Sequence, residues 1–448
     1  MSREKKYEID MCNGSIMDKL ISFALPLMLS GMLQLMFNAV DIVVVGRFSG
    51  SQSLAAVGAT TALIYLFTNL FIGISLGANV LAARYYAAGK HEEMSETVHT
   101  AMMFALISGI IMIFVGLFFS RLALEIMGTP SDVIDQATLY MRIYFLGMPF
   151  FMLYNYGSAI LRAVGDTKRP LIFLIISGVV NACLNMLLVI VFHLDVAGVA
   201  IATVTSQFIS CVLVIGCLYR TKSSYQLRFS RLKIRKEYLK PICQVGIPAG
   251  IQSTVINFSN ALLQSSVNSF GSTTMAGYTA ANNIFGFLYV SVNAITQACM
   301  SFTSQNYGLR KLKRMDKILM DCLILTVIVS LVLGGGVYLF GAEILRLYTE
   351  EAEVIRCGIE IFAYTTVTYF LCGIMDLFPG ALRGMDRSTV PMILSVIGTV
   401  GTRIVWVFWL FPAHHSLAFL FISYPASWLI TIVMQVICFY FVRRKVHG

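Results

Sequence analysis

Residues 17–45 read MDKLISFALPLMLSGMLQLMFNAVDIVVV. Beyond Lys19 the stretch holds a single charged residue, Asp41. A helix needs about 20 mainly apolar residues to cross the ~30 Å hydrocarbon core of a bilayer. This run is long enough, and membrane helices tolerate a residue such as Pro26 better than soluble ones do. The stretch therefore predicts a membrane-spanning helix with a carboxyl group inside it.

Eleven further stretches have the same character: 54–82, 95–120, 137–161, 170–192, 196–219, 242–269, 276–304, 317–341, 354–381, 390–411 and 416–442. The composition agrees. Of 448 residues, 57% are hydrophobic and only 12% charged, against roughly 25% charged in a soluble domain. The mean hydropathy is +0.77. The expected fold is an all-α integral membrane protein of twelve transmembrane helices. The first apolar stretch is long and lacks a small-residue cleavage site after it, so it reads as a retained helix and not as a signal peptide.

Basic residues test the count, because cytoplasmic loops are rich in Lys and Arg. The arm before the first span has Arg3, Lys5, Lys6 and Lys19, and the next even-numbered loops have Arg84 and Lys90, then Arg162, Lys168 and Arg169. The stretch 220–240 alone carries eight, and 27 of the 33 basic residues fall on one side. Both termini are thus expected in the cytoplasm, the protein being multi-pass in a plasma membrane, specifically a bacterial cytoplasmic membrane. The net charge of +10 is a matter of topology here, and no nucleic-acid partner is expected.

The halves repeat. Leu161-Arg162 and Pro170 match Leu382-Arg383 and Pro391 at an offset of 221 residues, as Ala55 matches Ala276 and Tyr86 matches Tyr307; Pro26 matches Pro248 at 222. Six helices per half preserve orientation, so the repeats are parallel. The expected organisation is an N-terminal lobe 1–219, a solvated basic linker 220–240 and a C-terminal lobe 241–448. Two such lobes suit alternating access to a central site.

Ionisable residues inside membrane helices are costly and mark function by default. Asp41 is the foremost, able to carry a proton or hold Na+. Asn181 and Asn185, spaced i,i+4, share one helix face; their amide oxygens suit Na+ or a protonated carboxyl. Thr203 and Tyr140 add hydroxyls, although polar groups of this kind also serve as interhelical glue. Asp376, before Leu382-Arg383, either pairs with Arg383 or lines the second lobe, and Arg403 is a further intramembrane charge. No P-loop is present: Arg84 stands where the first glycine before Gly89-Lys90 would be. The ten cysteines are scattered without a C-x-x-C pair. No convergent set of nucleophile, base or metal ligands suggests an enzyme, and no cofactor is expected beyond a coupling ion. The 31 Phe, 23 Met and 20 Tyr suit flat lipophilic cations and equally suit any membrane bundle.

The order of several segments resembles the MATE family, the multidrug and toxic compound extrusion transporters. They are Ala24-Leu-Pro26 with Val40-Asp41 and Val45-Gly46, Leu161-Arg-Ala-Val-Gly-Asp166 with Pro170, Asn181-x-x-x-Asn185, Ala197–Thr203, Val245-Gly-Ile-Pro248, and Gly380–Gly384 with Pro391. The resemblance covers nearly the whole chain. It implies export of organic cations in exchange for H+ or Na+, with a cation site at Asp41, Tyr140, Asn181, Asn185 and Thr203, and a bend at Pro26. A Na+ would be taken by Asp41, Asn181 and Asn185. The chain departs from some members, which have Asp at the position of Asn185 and acids within the stretch matching Ile251–Leu263. Asp376 and Arg403 are then the candidates in the C-terminal lobe. The expected partners are small lipophilic cations and membrane lipids, and the expected working unit is a monomer. A flippase for a lipid-linked saccharide or other amphipathic metabolite is the alternative. It would call for several cationic groups where only Arg403 lies deep in a span. A major-facilitator-type carrier is disfavoured by the loop Arg84-Tyr-Tyr-Ala-Ala-Gly-Lys90.

Overall fold

A computed structural model describes residues 7–447; Arg3, Lys5 and Lys6 of the basic arm lie outside them. The described residues form helices and no strands. In order these are α1 (Met17–Phe48), α2 (Gly50–Ala87), α3 (His91–Ile126), α4 (Ile134–Leu146), α5 (Met148–Ala163), α6 (Lys168–Asn185), α7 (Asp195–Arg220) and α8 (Lys236–Asn268). They continue with α9 (Ser272–Gly308), α10 (Leu312–Leu339), α11 (Gly341–Arg346), α12 (Ala352–Thr365), α13 (Tyr369–Gly384), α14 (Thr389–Ser395), α15 (Thr402–Val405) and α16 (Leu417–His447). Helix is the form an open chain takes in hydrocarbon, since it satisfies its backbone polar groups within one segment.

Every one of the twelve predicted stretches is helical, but four are interrupted, the fifth by a π-helical turn at Met186–Val191. The fourth breaks at Gly147, where Pro149 in the first turn of α5 lacks an N–H. The tenth bends by 50° between α12 and α13. There the Thr365, Thr366 and Thr368 hydroxyls donate to carbonyls one turn back, at 2.7, 2.7 and 2.9 Å, a substitution that bends helices. The eleventh passes through π-helical turns at Val396–Gly401 and Trp406–Leu410 on either side of α15. Among the described residues nine helices are long and apolar enough to cross a membrane, or ten with α12 and α13 as one span. The two remaining stretches are the broken α4–α5 and α8, whose second half is rich in Ser, Thr, Asn and Gln.

The chain packs as two compact units. One comprises residues up to Asp10 with Leu29–Gly250; the other comprises Met11–Met28 with Ile251 onward. The chain passes between units inside α1 and α8, just past Pro26 and Pro248, rather than in the stretch 220–240. Within the first unit α2, α3 and α5 pack on one another and α7 packs on α4, α5 and α6. Within the second, α9, α10 and α13 pack together and α16 packs on α12, α13 and the Thr389–Ala413 segment. These are the same pairs in repeat order.

Both units bury polar side chains within an apolar core and turn apolar side chains outward. Asn79, Thr97, Asn306 and Gln435 are buried, whereas Phe114, Phe118, Phe119 and Leu339 are exposed, a surface that only lipid covers. The eight basic residues of the stretch 220–240 are exposed, and a few residues between them anchor it to the first unit. Tyr225 and Leu227 are buried. Arg228 N donates to His99 Nε2 at 3.0 Å and Arg235 pairs with Glu96 at 2.6 Å. Tyr86 and Tyr225 each donate to Glu8 at 2.8 Å. Burial pushes the Tyr225 hydroxyl up to about 12, so it remains a donor at neutral pH.

Two glycine pairs let backbones touch in the first unit. A Cβ on Gly73 would meet Gly250, and one on Gly246 would meet Ile74 Cα and come within 2.9 Å of Gly73 O. A Cβ on Gly77 would strike Ile242 O and one on Gly250 would lie 2.7 Å from Leu70 Cα. Gly73-x-x-x-Gly77 and Gly246-x-x-x-Gly250 thus form the small-residue seam typical of membrane helix pairs. Gly246→Val is expected to lower stability by about 1–3 kcal/mol. Thermal unfolding in detergent checks this; a melting temperature equal to that of the unsubstituted protein would refute the seam.

Candidate functional site

The first unit places Asp41 by a ring-on-glycine contact. Phe37, one turn earlier on α1, lies on Gly178 of α6, where any Cβ would strike the ring. Asp41 then comes opposite the next turns of α6, where Asn181 and Asn185 share a face. Asn185 Nδ2 donates to Asp41 Oδ1 and, at 3.2 Å, to Asn181 Oδ1. Asp41 is 9% exposed, Asn181 5% and Asn185 0%. A π-helical turn, Met186–Val191, begins directly after Asn185; such turns are frequent at functional sites.

Thr203 on α7 and Tyr140 on α4 complete the set. The Thr203 side chain lies beside the Asp41 carboxyl, and its buried Oγ1 takes no hydrogen bond. Tyr140 is buried, stacks on Tyr144 with ring centroids 6.2 Å apart, and both tyrosines lie within electrostatic reach of Asp41. All five residues singled out in the sequence therefore gather around one carboxyl. Two neighbours were not singled out: Tyr144, and Gln207 on α7 beside it. Each is one turn beyond a chosen residue, Tyr140 and Thr203, so helical spacing alone could have found them.

Among the described residues no basic side chain pairs with Asp41; Asn185 donates to it and the Thr203 side chain lies beside it. A buried charge is tolerated only when paired, so its balance must come from something that binds. Asn185 Oδ1 and Thr203 Oγ1, both buried and unpartnered, are oxygen atoms a cation could use. None of the groups of three or more His, Cys, Asp or Glu that hold transition metals occurs among the described residues.

Pro26 lies inside α1, well before Asp41 and at the transition between units. Asp166, in the loop after α5, is a structural acid: it is fully buried and accepts from Arg169. Burial pushes its carboxyl above the ordinary range, and Arg169 opposes that. Gly165 before it has φ +94°, and a Cβ there would lie 2.6 Å from the Ile9 backbone, so no larger residue fits.

In the second unit Asp376 makes no ion pair with Arg383, one of the two arrangements the sequence allowed. Arg383 Nη2 donates instead to Gln252 Oε1 at 2.7 Å, and Asp376 lies within electrostatic reach of Tyr289 and Arg383. Arg403, 2% exposed, sits apart from both and binds Asn260, Ser259 and Ser427. The two candidates of this unit are not brought together.

A family model described as MatE matches residues 26–187 and again 248–409, two halves with the offset read from Pro26 and Pro248. The chain is 28% identical to the probable multidrug resistance protein YoeA of Bacillus subtilis (strain 168), covering 94% of this chain and 93% of that protein. It is 21% identical to the multidrug export protein MepA of Staphylococcus aureus (strain NCTC 8325 / PS 47), covering 89% and 87%. Its fold matches an outward-facing structure of a multidrug resistance MATE family transporter of the MOP superfamily, with TM-score 0.88 at 20% identity, over 98% of this chain and 97% of that one. With the family model covering most of both halves, the chain belongs to the MatE family of multi-pass plasma-membrane proteins.

Proposed function

We propose that the protein is a secondary antiporter that exports small lipophilic organic cations in exchange for H+ or Na+. The observation that carries this reading is the buried Asp41 carboxyl, held by the Asn185 amide with the Thr203 hydroxyl beside it and no basic partner among the described residues. The names of the relatives, multidrug resistance and export proteins, support the substrate class. The one-sided basic residues support cytoplasmic termini. The protein works as a monomer among membrane lipids and carries out no catalysis.

The coupling cation and the substrate use Asp41 in alternation. With Asp41 open to the outside, H+ or Na+ binds it, assisted by the oxygens of Asn181, Asn185 and Thr203. That weakens substrate binding and releases the drug. An ion drives the change only if it binds the two conformations with different affinity. The bend lies at Pro26, which leaves the Ser22 carbonyl without its helical donor; Pro248 is its partner in the repeat, doing the same to Gln244. The two six-helix lobes then move by alternating access about these prolines.

Efflux of a fluorescent organic cation from vesicles, with H+ and Na+ gradients imposed separately, tests the reading and names the ion. Asp41→Asn is expected to lower gradient-driven efflux by about tenfold or more with folding intact; undiminished coupled efflux in that variant would overturn it. Pro26→Ala and Pro248→Ala are each expected to slow efflux while leaving equilibrium binding of the same cation unchanged. A loss of binding equal to the loss of efflux would remove the prolines from the conformational step.

A further inference from the structure

The buried charge of the second unit has the opposite sign. In the repeat alignment Arg403 stands where the first unit has Asn181, 222 residues earlier, and Leu263 stands where the first unit has Asp41. Here the acid is gone and the amide has become a guanidinium.

Its surroundings are polar and neutral. Arg403 Nη1 donates to Asn260 Oδ1 at 2.7 Å and to Ser259 Oγ at 3.4 Å, and Nε donates to Ser427 Oγ at 3.4 Å. The guanidinium carbon lies 4.6 Å over the Tyr424 ring, whose hydroxyl meets that of Tyr278 at 3.2 Å. None of these partners carries a charge. Nη2 makes no hydrogen bond among the described residues.

A guanidinium buried among neutral groups is costly. A neutral amide could bridge helices at this position without that cost. The bonds to Ser259 and Ser427 are long for hydrogen bonds and readily exchanged, whereas the bond to Asn260 and the Tyr424 ring fix the plane of the group. The Nε–Nη2 edge is the fork that matches a carboxylate with two parallel hydrogen bonds. π-helical turns on both sides of Thr402–Val405 mark the segment independently, since such turns cluster at functional sites. Phe421, 5.7 Å from the Tyr278 ring, and Trp428, 5.7 Å from that of Tyr424, are buried and back the half-buried Tyr424 ring.

We infer that the second unit binds carboxylates: the Nε–Nη2 edge of Arg403 takes the carboxylate of a lipophilic anion in place of the Ser427 contact, and the half-buried Tyr424 ring takes its apolar part. This rests on the reading of the protein as a small-molecule exporter and extends its substrates beyond cations.

The test is equilibrium binding to the purified full-length protein in neutral phosphatidylcholine nanodiscs, where no anionic headgroup competes and no ion gradient exists. The probes are 1-pyrenebutyrate, its neutral amide and a pyrenebutyl trimethylammonium. The unsubstituted protein is expected to bind the carboxylate about tenfold tighter than the amide. Arg403→Gln should abolish that preference and leave the ammonium probe unaffected, and Arg403→Lys should restore part of it. Equal binding of carboxylate and amide by the unsubstituted protein overturns the site, and that comparison needs no variant to fold. So does an unchanged preference in Arg403→Gln with a normal melting temperature. Either result leaves ion-driven efflux of cations standing, and failure of that efflux would not touch this binding comparison.

Discussion

Hydrocarbon supplies no hydrogen bonds, so each polar group in the bilayer must find a partner inside the protein. Backbone groups do so by forming helices, and the breaks in those helices fall where something else takes over. The threonine hydroxyls near Thr366 accept the role at one bend. Pro149 and Gly147 share it at another. Most buried side chains obey the same rule, bonding to carbonyls one turn back or across a helix pair. Exceptions are scattered through both units, and three of them lie in the neighbourhood of Asp41: Asn185 Oδ1, Thr203 Oγ1 and Gln207 Oε1 are buried without hydrogen-bond partners. A site prepared for a small cation has to keep such oxygens unspent.

Charge follows the same logic with higher stakes. Asp166 and Arg169 neutralise each other within one turn. Asp41 and Arg403 do not neutralise anything in the described protein, and they stand in different units, Asp41 on α1 and Arg403 on the repeat counterpart of α6. Duplication supplied one scaffold twice, and substitution gave its two copies opposite buried charges. Such a pair of sites is expensive to maintain as structure alone, since apolar residues of similar size would pack without the desolvation cost.

Much of this was legible in the sequence because hydrocarbon makes length and apolarity sufficient evidence for a span. The gathering of Asp41 with Asn181 and Asn185 was legible because i,i+4 spacing and a charge in an apolar run are both one-dimensional signals. The interruptions near Gly147 and Thr366 had local signals in Pro149 and the threonine run, but these are weak against a long apolar pattern. The π-helical turns carry no pattern at all. The partners of Arg403 come from α8 and α16, far off in the chain, and no spacing announces them. Charge at 220–240 marked the exposed basic side chains but not the anchors between them, since Tyr225 and Leu227 are buried.

The central claim is that a coupling cation and the substrate exclude one another at Asp41. It is tested most directly by mixing the purified protein with a lipophilic cation and recording the ions released, protons with a pH indicator and Na+ with a selective electrode. The account predicts release of H+ or Na+ on binding by the unsubstituted protein, and none by Asp41→Asn. Equal release from both, or substrate binding with no ion released from either, would contradict it.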